Sequence, residues 1–232
     1  TGTINSNGGN VDLLAGNDVT INNAITTAGG TVDIDAGRDV TSNAAGDITT
    51  TGDAADEAGG TVDIDSGRHV NLAGDIDTRG NAADGLGGNV TIDSVDGDIT
   101  VSAIDASGAG VGAGGNIFLN ANDADNTNGT ATGDVTSNGV VQTNNNGMVT
   151  FEADDSVFIN SNIIAGGTGD VLVTANADIA TDANNTDGST ESITMAGGTS
   201  IDGGSGSITL TNDDDDGLGN EDNGGDITAQ TL

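Results

Sequence analysis

The sequence predicts an all-β fold: a right-handed parallel β-helix with about three short strands per coil and variable loops rich in Gly, Ala and Asp. Three observations predict it. Near-identical phrases recur along the chain. Within each phrase apolar residues alternate with polar ones. The composition supplies small and β-branched side chains where a globular core would use aromatics.

The recurrence is plainest in GGNVDLLAGNDVTI (8–21), GGTVDIDAGRDVTS (29–42) and GGTVDIDSGRHVNL (59–72). GGNVTIDSVDGDITV (87–101) keeps the first half and shifts the second, and GGNIFLNAND (114–123) follows. Looser copies stand at 147–160 and 168–180. The first apolar residue of successive copies falls at Val11, Val32, Val62, Val90, Ile117, Val149, Val171, Ile193, Ile208 and Ile227. The spacing is irregular, and its excess sits in stretches such as 49–58, 79–86 and 106–113, which read as loops projecting from a common coil. Nine or ten coils at the strand spacing would make a rod roughly 45 Å long.

Each strand of the coil is justified by its period of two. In TVDID, Val32 and Ile34 share one face while Asp33 and Asp35 share the other, and Val62 with Ile64 and Val90 with Ile92 repeat the pattern. A second strand follows a glycine and turns Val19, Val40 and Val70 inward. A third is read from GDITT, GDIDT and GDITV, with Ile48, Ile76 and Ile99 inward. No copy can bury these residues alone, whereas stacking buries them as ladders along an axis. No segment carries a 3.6-residue apolar stripe, and the strands of a β-sandwich would not repeat in such similar wording.

Composition agrees. Among 232 residues there are 40 Gly, no Pro, Cys or Trp, and three Phe. Low hydrophobicity with high charge also describes disordered chains, but ordered alternation along nearly the whole length argues for a fold. The chain reads as one solenoid domain over 1–232, with clear repeats over 8–123, irregular coils over 124–232 and an acidic loop at 212–222. It is expected to be a mature product or a piece of a longer repeat protein.

The charge narrows the partners. Arg38, Arg68 and Arg79 face 37 acidic residues, giving a formal charge of −34. Such a surface repels nucleic acid and anionic membranes, and no apolar run reaches the ~18 residues of a membrane span. It points to cations, high salt or simple solubility. Without cysteine there is neither a disulfide framework nor a thiolate metal site.

The phrase GGTVDIDAGRDVTSNAAGDITTTG (29–52) resembles the repeats of filamentous-haemagglutinin-like bacterial exoproteins, most clearly over residues 8–123. The resemblance implies a large, secreted, β-helical adhesin of the bacterial cell surface, of a kind often exported by two-partner secretion. It implies cell-surface or matrix components, or further copies of the chain end to end, as partners. That family's amino-terminal secretion domain is not visible here, and the acidity exceeds the pattern.

Three sets of residues are candidate cation ligands, with Ca²⁺ the expected ion because hard cations take oxygen ligands. In a registered stack, Asp33 and Asp63, and likewise Asp35, Asp65 and Asp93, lie one strand spacing apart and repel unless bridged. A solvated face whose side chains splay apart satisfies the same pattern. In NDDDDGLGNED, Asn212, Asp214, Asp216 and Gly217 match the opening of a calcium loop, with Asn223 where a bidentate Glu would stand and Glu221 or Asp222 as substitutes. Four consecutive aspartates also fit an ordinary acidic loop. The related phrases DADNTNG and DANNTDG place Asp123, Asp125 and Asn128 in correspondence with Asp182, Asn184 and Asp187, a recurrence that Asx-turn chemistry explains as well.

His69, the only histidine, occupies the slot of Asp18 and Asp39, and Arg38 and Arg68 share another slot beside carboxylates. Nothing sets His69 beside an activated serine, so no catalytic residue is assigned. The leading expectation is a non-catalytic structural stalk, filament or adhesin segment. Polysaccharide-active β-helix enzymes are the alternative, although this chain lacks Lys, Trp and Tyr for a sugar-binding groove. Ice or mineral binding by ladders of Thr or Asp is a further alternative, hinted at by Thr49, Thr50 and Thr51.

Overall fold

The computed structural model describes residues 2–54, 57–82, 84–122, 133–175, 192–212 and 227–228. The described residues contain no helix and form three parallel sheets of eight strands each. Each sheet takes every third strand in chain order, so the chain winds as a parallel β-helix with three strands per coil.

The first sheet is built from Val11–Ala15, Val32–Ala36, Val62–Ser66, Val90–Ser94, Ile117–Ala121, Val149–Ala153, Val171–Ala175 and Ile208–Asn212. These eight strands define coils 1 to 8. The second sheet begins at Val19, Val40, Val70, Ile99, Val135, Val157, Ile193 and Ile227, one strand per coil. The third begins at Ile4, ahead of coil 1, and continues at Ile25, Ile48, Ile76, Ile104, Val141, Ile163 and Ile201.

Alternation sets the faces, and register turns them into columns. Ile34 pairs with Ile64, Ile64 with Ile92, Ile92 with Leu119, Leu119 with Phe151 and Phe151 with Val173. These residues are fully buried, so each inward side chain packs on its equivalent one coil away. Burying such a side chain is worth about 1.5–3 kcal/mol, and the stack gains it in almost every coil. Phe151 occupies a position that is otherwise Leu, Ile or Val, while Phe118 and Phe158 stand on outward positions.

The GG-x-V phrase has a steric cause. A Cβ on Gly60 would lie 2.0 Å from the Gly30 carbonyl oxygen, and one on Gly88 would lie 2.1 Å from that of Gly60. The same clash recurs at Gly115, Gly169 and Gly206. Only hydrogen fits where these turns stack. A buried threonine at the end of the third-sheet strand closes the same corner. Thr50 Oγ1 donates to the Gly60 carbonyl (2.5 Å) and Thr78 Oγ1 to that of Gly88 (2.7 Å), with Thr27 making the equivalent bond to Gly30. The Gly60 and Gly88 amides return bonds to the Thr50 and Thr78 carbonyls, both at 2.7 Å.

This bracket lets the connection inside it grow without disturbing the coil. Five residues join Thr26 to Val32, whereas twelve join Thr49 to Val62 and twelve join Asp77 to Val90. The longer connections, read from the sequence as loops projecting from a common coil, are also tied to one another. They stack: Gly59 N–H bonds Leu86 O (2.8 Å), Gly87 N–H bonds Ala113 O (2.9 Å) and Asn81 N–H bonds Glu57 O (2.9 Å). Glycine content here serves close backbone approach as much as looseness.

Other expectations need correction. The described first sheet has eight strands, not nine or ten, because Ile193 and Ile227 belong to the second sheet, paired with Val157 and with each other. Ile99 also lies in the second sheet, against Val70, and the third strand of its coil is Ile104–Asp105. Eight coils span about 34 Å from first to last at the strand spacing.

Candidate functional site: carboxylate columns and an inserted corner

The outward aspartates of the first sheet stack as the sequence expects. Asp12, Asp33 and Asp63 form one column, and Asp35, Asp65 and Asp93 a second, each residue opposite its neighbour. Burial, then Asp35 and Asp12, raises the Asp33 carboxyl above the usual carboxylate range. Burial and the surrounding aspartates raise Asp63 and Asp65 likewise. The first column changes character at coil 4, where Thr91 leads to Phe118, Thr150 and Leu172, and the second one coil later, where Asn120 donates to Asp93 at 3.0 Å.

The arginines serve other columns. Arg38 makes a two-pronged contact with Asp18 (2.9 and 2.8 Å), and Arg68 makes the same contact with Asp39 (3.2 and 2.8 Å) one coil further on. The two arginines share a slot, as their position in the repeat implies, with Arg68 N–H bonded to Arg38 O at 2.9 Å. The hydrogen bond from Arg68 holds the Asp39 carboxyl below its usual range. Arg79 grips Asp77 on the third sheet (2.9 and 2.6 Å) and lies 3.7 Å from Asp105.

A third arrangement escaped the sequence reading. The residue just before a strand caps the amide of its equivalent in the next coil. Before the first sheet, Asn89 Oδ1 accepts from Asn116 N–H (2.8 Å), and Asn116 Oδ1 from Met148 N–H (3.0 Å). Before the third sheet, Asp47 Oδ1 accepts from Asp75 N–H (3.0 Å), and Asp75 Oδ1 from Ala103 N–H (3.1 Å). Before the second sheet the column runs Asp39, His69, Asp98, Asp134, Ser156 and Ser192. Burial, then Asp98, raises the Asp134 carboxyl against the opposing bond from Ser156 N–H. The signal in the sequence was Asn or Asp directly before the first apolar residue of a strand.

Of the candidate ligands in the acidic phrases, Asn212 is described: it ends the first-sheet strand of coil 8, opposite Ala175. Asp123, Asp125, Asp182, Asp187, Asp214, Asp216 and Asp222 lie outside the described residues. The strands that flank them fix where they enter the coil. Three or four residues join the first sheet to the second in coils 1–4 and 6, as from Ala153 to Val157. In coils 5, 7 and 8 the connections run from Ala121 to Val135, from Ala175 to Ile193 and from Asn212 to Ile227. All three acidic phrases therefore enter at the same corner. Among the described residues, no three His, Asp or Glu side chains converge as a metal-binding group. In comparisons with protein-family models, curated proteins and solved structures, nothing matches this chain.

Proposed function

We propose that the chain is a non-catalytic segment of a secreted, filamentous-haemagglutinin-like bacterial surface protein: a rigid stalk that displays acidic loops and is stabilised by Ca²⁺. The single observation that carries this reading is that the strands flanking all three acidic phrases leave the first sheet and rejoin the second at one and the same corner of the stack. Stacking on a parallel β-helix supplies stiffness, and variable connections supply a presented surface without altering the core. Asp123, Asp125, Asp182 and Asp187, with Asn212, Asp214, Asp216 and Asp222, are the proposed oxygen donors for Ca²⁺. The partners are cell-surface or matrix components, or further copies along the axis.

Incubation with acidic and neutral polysaccharides is expected to leave their chain length unchanged. Release of new reducing or unsaturated ends would overturn the non-catalytic reading. In parallel, the labelled protein should be retained on cell-surface or matrix preparations in a Ca²⁺-dependent way, and retention unaltered by chelator would count against the cation.

One observation favours a second reading. Thr20, Thr41, Thr100, Thr136, Thr194 and Thr228 occupy a single outward position of the second sheet, interrupted by Asn71 and Phe158. Such a hydroxyl ladder suits ordered water or mineral. Freezing hysteresis measured on the intact chain decides it, and a value of zero removes ice from consideration. Thr50, once part of that hint, is buried.

A further inference from the structure

The cap column before the second sheet uses oxygen acceptors at every step but one. Asp39 Oδ1 accepts from His69 N–H (3.4 Å), Asp98 Oδ1 from Asp134 N–H (3.3 Å), Asp134 Oδ1 from Ser156 N–H (2.9 Å) and Ser156 Oγ from Ser192 N–H (3.0 Å). Between Asp39 and Asp98 the acceptor is a ring nitrogen: His69 Nδ1 takes the Asp98 N–H at 3.0 Å. An imidazole nitrogen accepts only while it carries no proton, so this bond requires the neutral ring with its hydrogen on Nε2.

The same nitrogen has a second partner within reach. Asp98 Oδ2 lies 3.6 Å from His69 Nδ1. The ring packs on the backbone of Gly97, where a Cβ would fall 2.6 Å from Nδ1, so no side chain comes between ring and backbone. The charged groups around the junction are Arg68 and Asp39, bonded to each other at 2.8 Å, and Asp96 and Asp98 on the next coil. Arg38 and Asp18 pair with each other one coil further back.

We propose that His69 is a pH-operated latch on the junction between coils 3 and 4. In the neutral state the ring holds the Asp98 amide. When Nδ1 takes a proton from solvent it becomes a donor, releases the Asp98 N–H and bonds the Asp98 carboxylate through Oδ2. Asp98 Oδ1 also caps the amides of Gly133 (3.1 Å) and Asp134 (3.3 Å), the last residues of the coil 5 connection. The exchange therefore reaches the first of the acidic insertions. Imidazole is the side chain that ordinarily changes charge between pH 5 and 8. The oxygen acceptors elsewhere in the column can still accept throughout that range.

The full chain has one histidine, so its ring resonances are assigned without ambiguity. Nitrogen NMR at pH 8 should show the Nε2–H tautomer, and hydrogen exchange should follow the Asp98 amide down to pH 5. After correction for intrinsic exchange, Asp98 protection should fall about fivefold with the same midpoint as the ring, the loss expected for one net hydrogen bond. In H69N, whose Oδ1 can accept but does not titrate, protection should stay level. H69D carries the residue usual in the column and serves if H69N does not fold. Flat Asp98 protection across the ring's titration, or an equal fall in the non-titrating variant, would overturn the latch.

Discussion

At the scale of single residues, the same residue type is stabilising or costly according to its column. Asp39 answers an arginine and caps a backbone amide, whereas Asp63 faces Asp33 across one strand spacing. Replacing Asp39 with Ala removes both bonds and should cost about 1–2 kcal/mol in thermal unfolding. Asp63→Asn should instead stabilise by about 0.5 kcal/mol at low salt and by less at high salt, since it removes like charges placed directly opposite. The pH dependences have opposite signs. The Asp39 carboxyl is lowered in the folded chain, so its contribution is present above the ordinary value of 3.8 and is lost as pH falls through the folded value. Asp33, Asp63 and Asp65 are raised, so their contribution is full below 3.8 and is lost as pH rises through the folded values. Melting curves between pH 3 and 7 should therefore show the Asp63→Asn advantage growing with pH and the Asp39→Ala deficit shrinking toward acid. A pH-independent difference for either variant would refute its assignment.

At the scale of elements, the turn glycines and inward aliphatics carry the stack. Gly60→Ala drives a methyl into the Gly30 carbonyl and should cost about 3 kcal/mol, whereas Gly16→Ala meets nothing within 4 Å and should be close to neutral. Ile64→Ala opens a cavity between Ile34 and Ile92 and should cost about 2–5 kcal/mol. Denaturant titration of the three variants orders them, and equal losses at Gly60 and Gly16 would sink the steric account. Strand existence was legible because Val and Ile alternate with polar residues over five positions in VDIDA and VDIDS. Sheet membership was not. In the sequence Ile99, Ile193 and Ile208 all stand within a few residues of a preceding glycine and begin the same apolar, polar, apolar pattern, yet Ile99 and Ile193 lie in the second sheet and Ile208 in the first. Only the pairing partner distinguishes them, and that partner stands 29 to 37 residues away. The cap columns escaped for the same reason: the Asn or Asp before each strand stands in the sequence, but Asn89 and Asn116 meet only once the coil closes. The acidic phrases were legible as phrases, but their common corner emerged from the strands on either side.

At the scale of the whole molecule, each coil touches only its neighbours, so stability accumulates along the axis and so does charge. A net charge of −34 on a narrow stack opposes compaction, and any soluble cation relieves part of that repulsion by screening. Screening and binding are separable because they scale differently. Screening follows ionic strength whatever the ion. A bound ion stabilises with the logarithm of its own concentration above the dissociation constant, about 2.7 kcal/mol at a hundredfold excess. If the inserted corner binds Ca²⁺, millimolar CaCl₂ should raise the melting midpoint by several degrees beyond NaCl of matched ionic strength. The excess should disappear when Asp123, Asp125, Asp182, Asp187, Asp214, Asp216 and Asp222 are replaced by Asn. The columns of Asp33, Asp63, Asp35 and Asp65 should respond to both salts alike, because opposed carboxylates on a flat sheet lack the six to eight oxygens that Ca²⁺ takes. An equal gain with NaCl and CaCl₂ would leave screening as the sole role of cations, and an excess that survives the Asn replacements would put the bound ion outside the inserted corner. The acidic insertions would then act through charge and display alone.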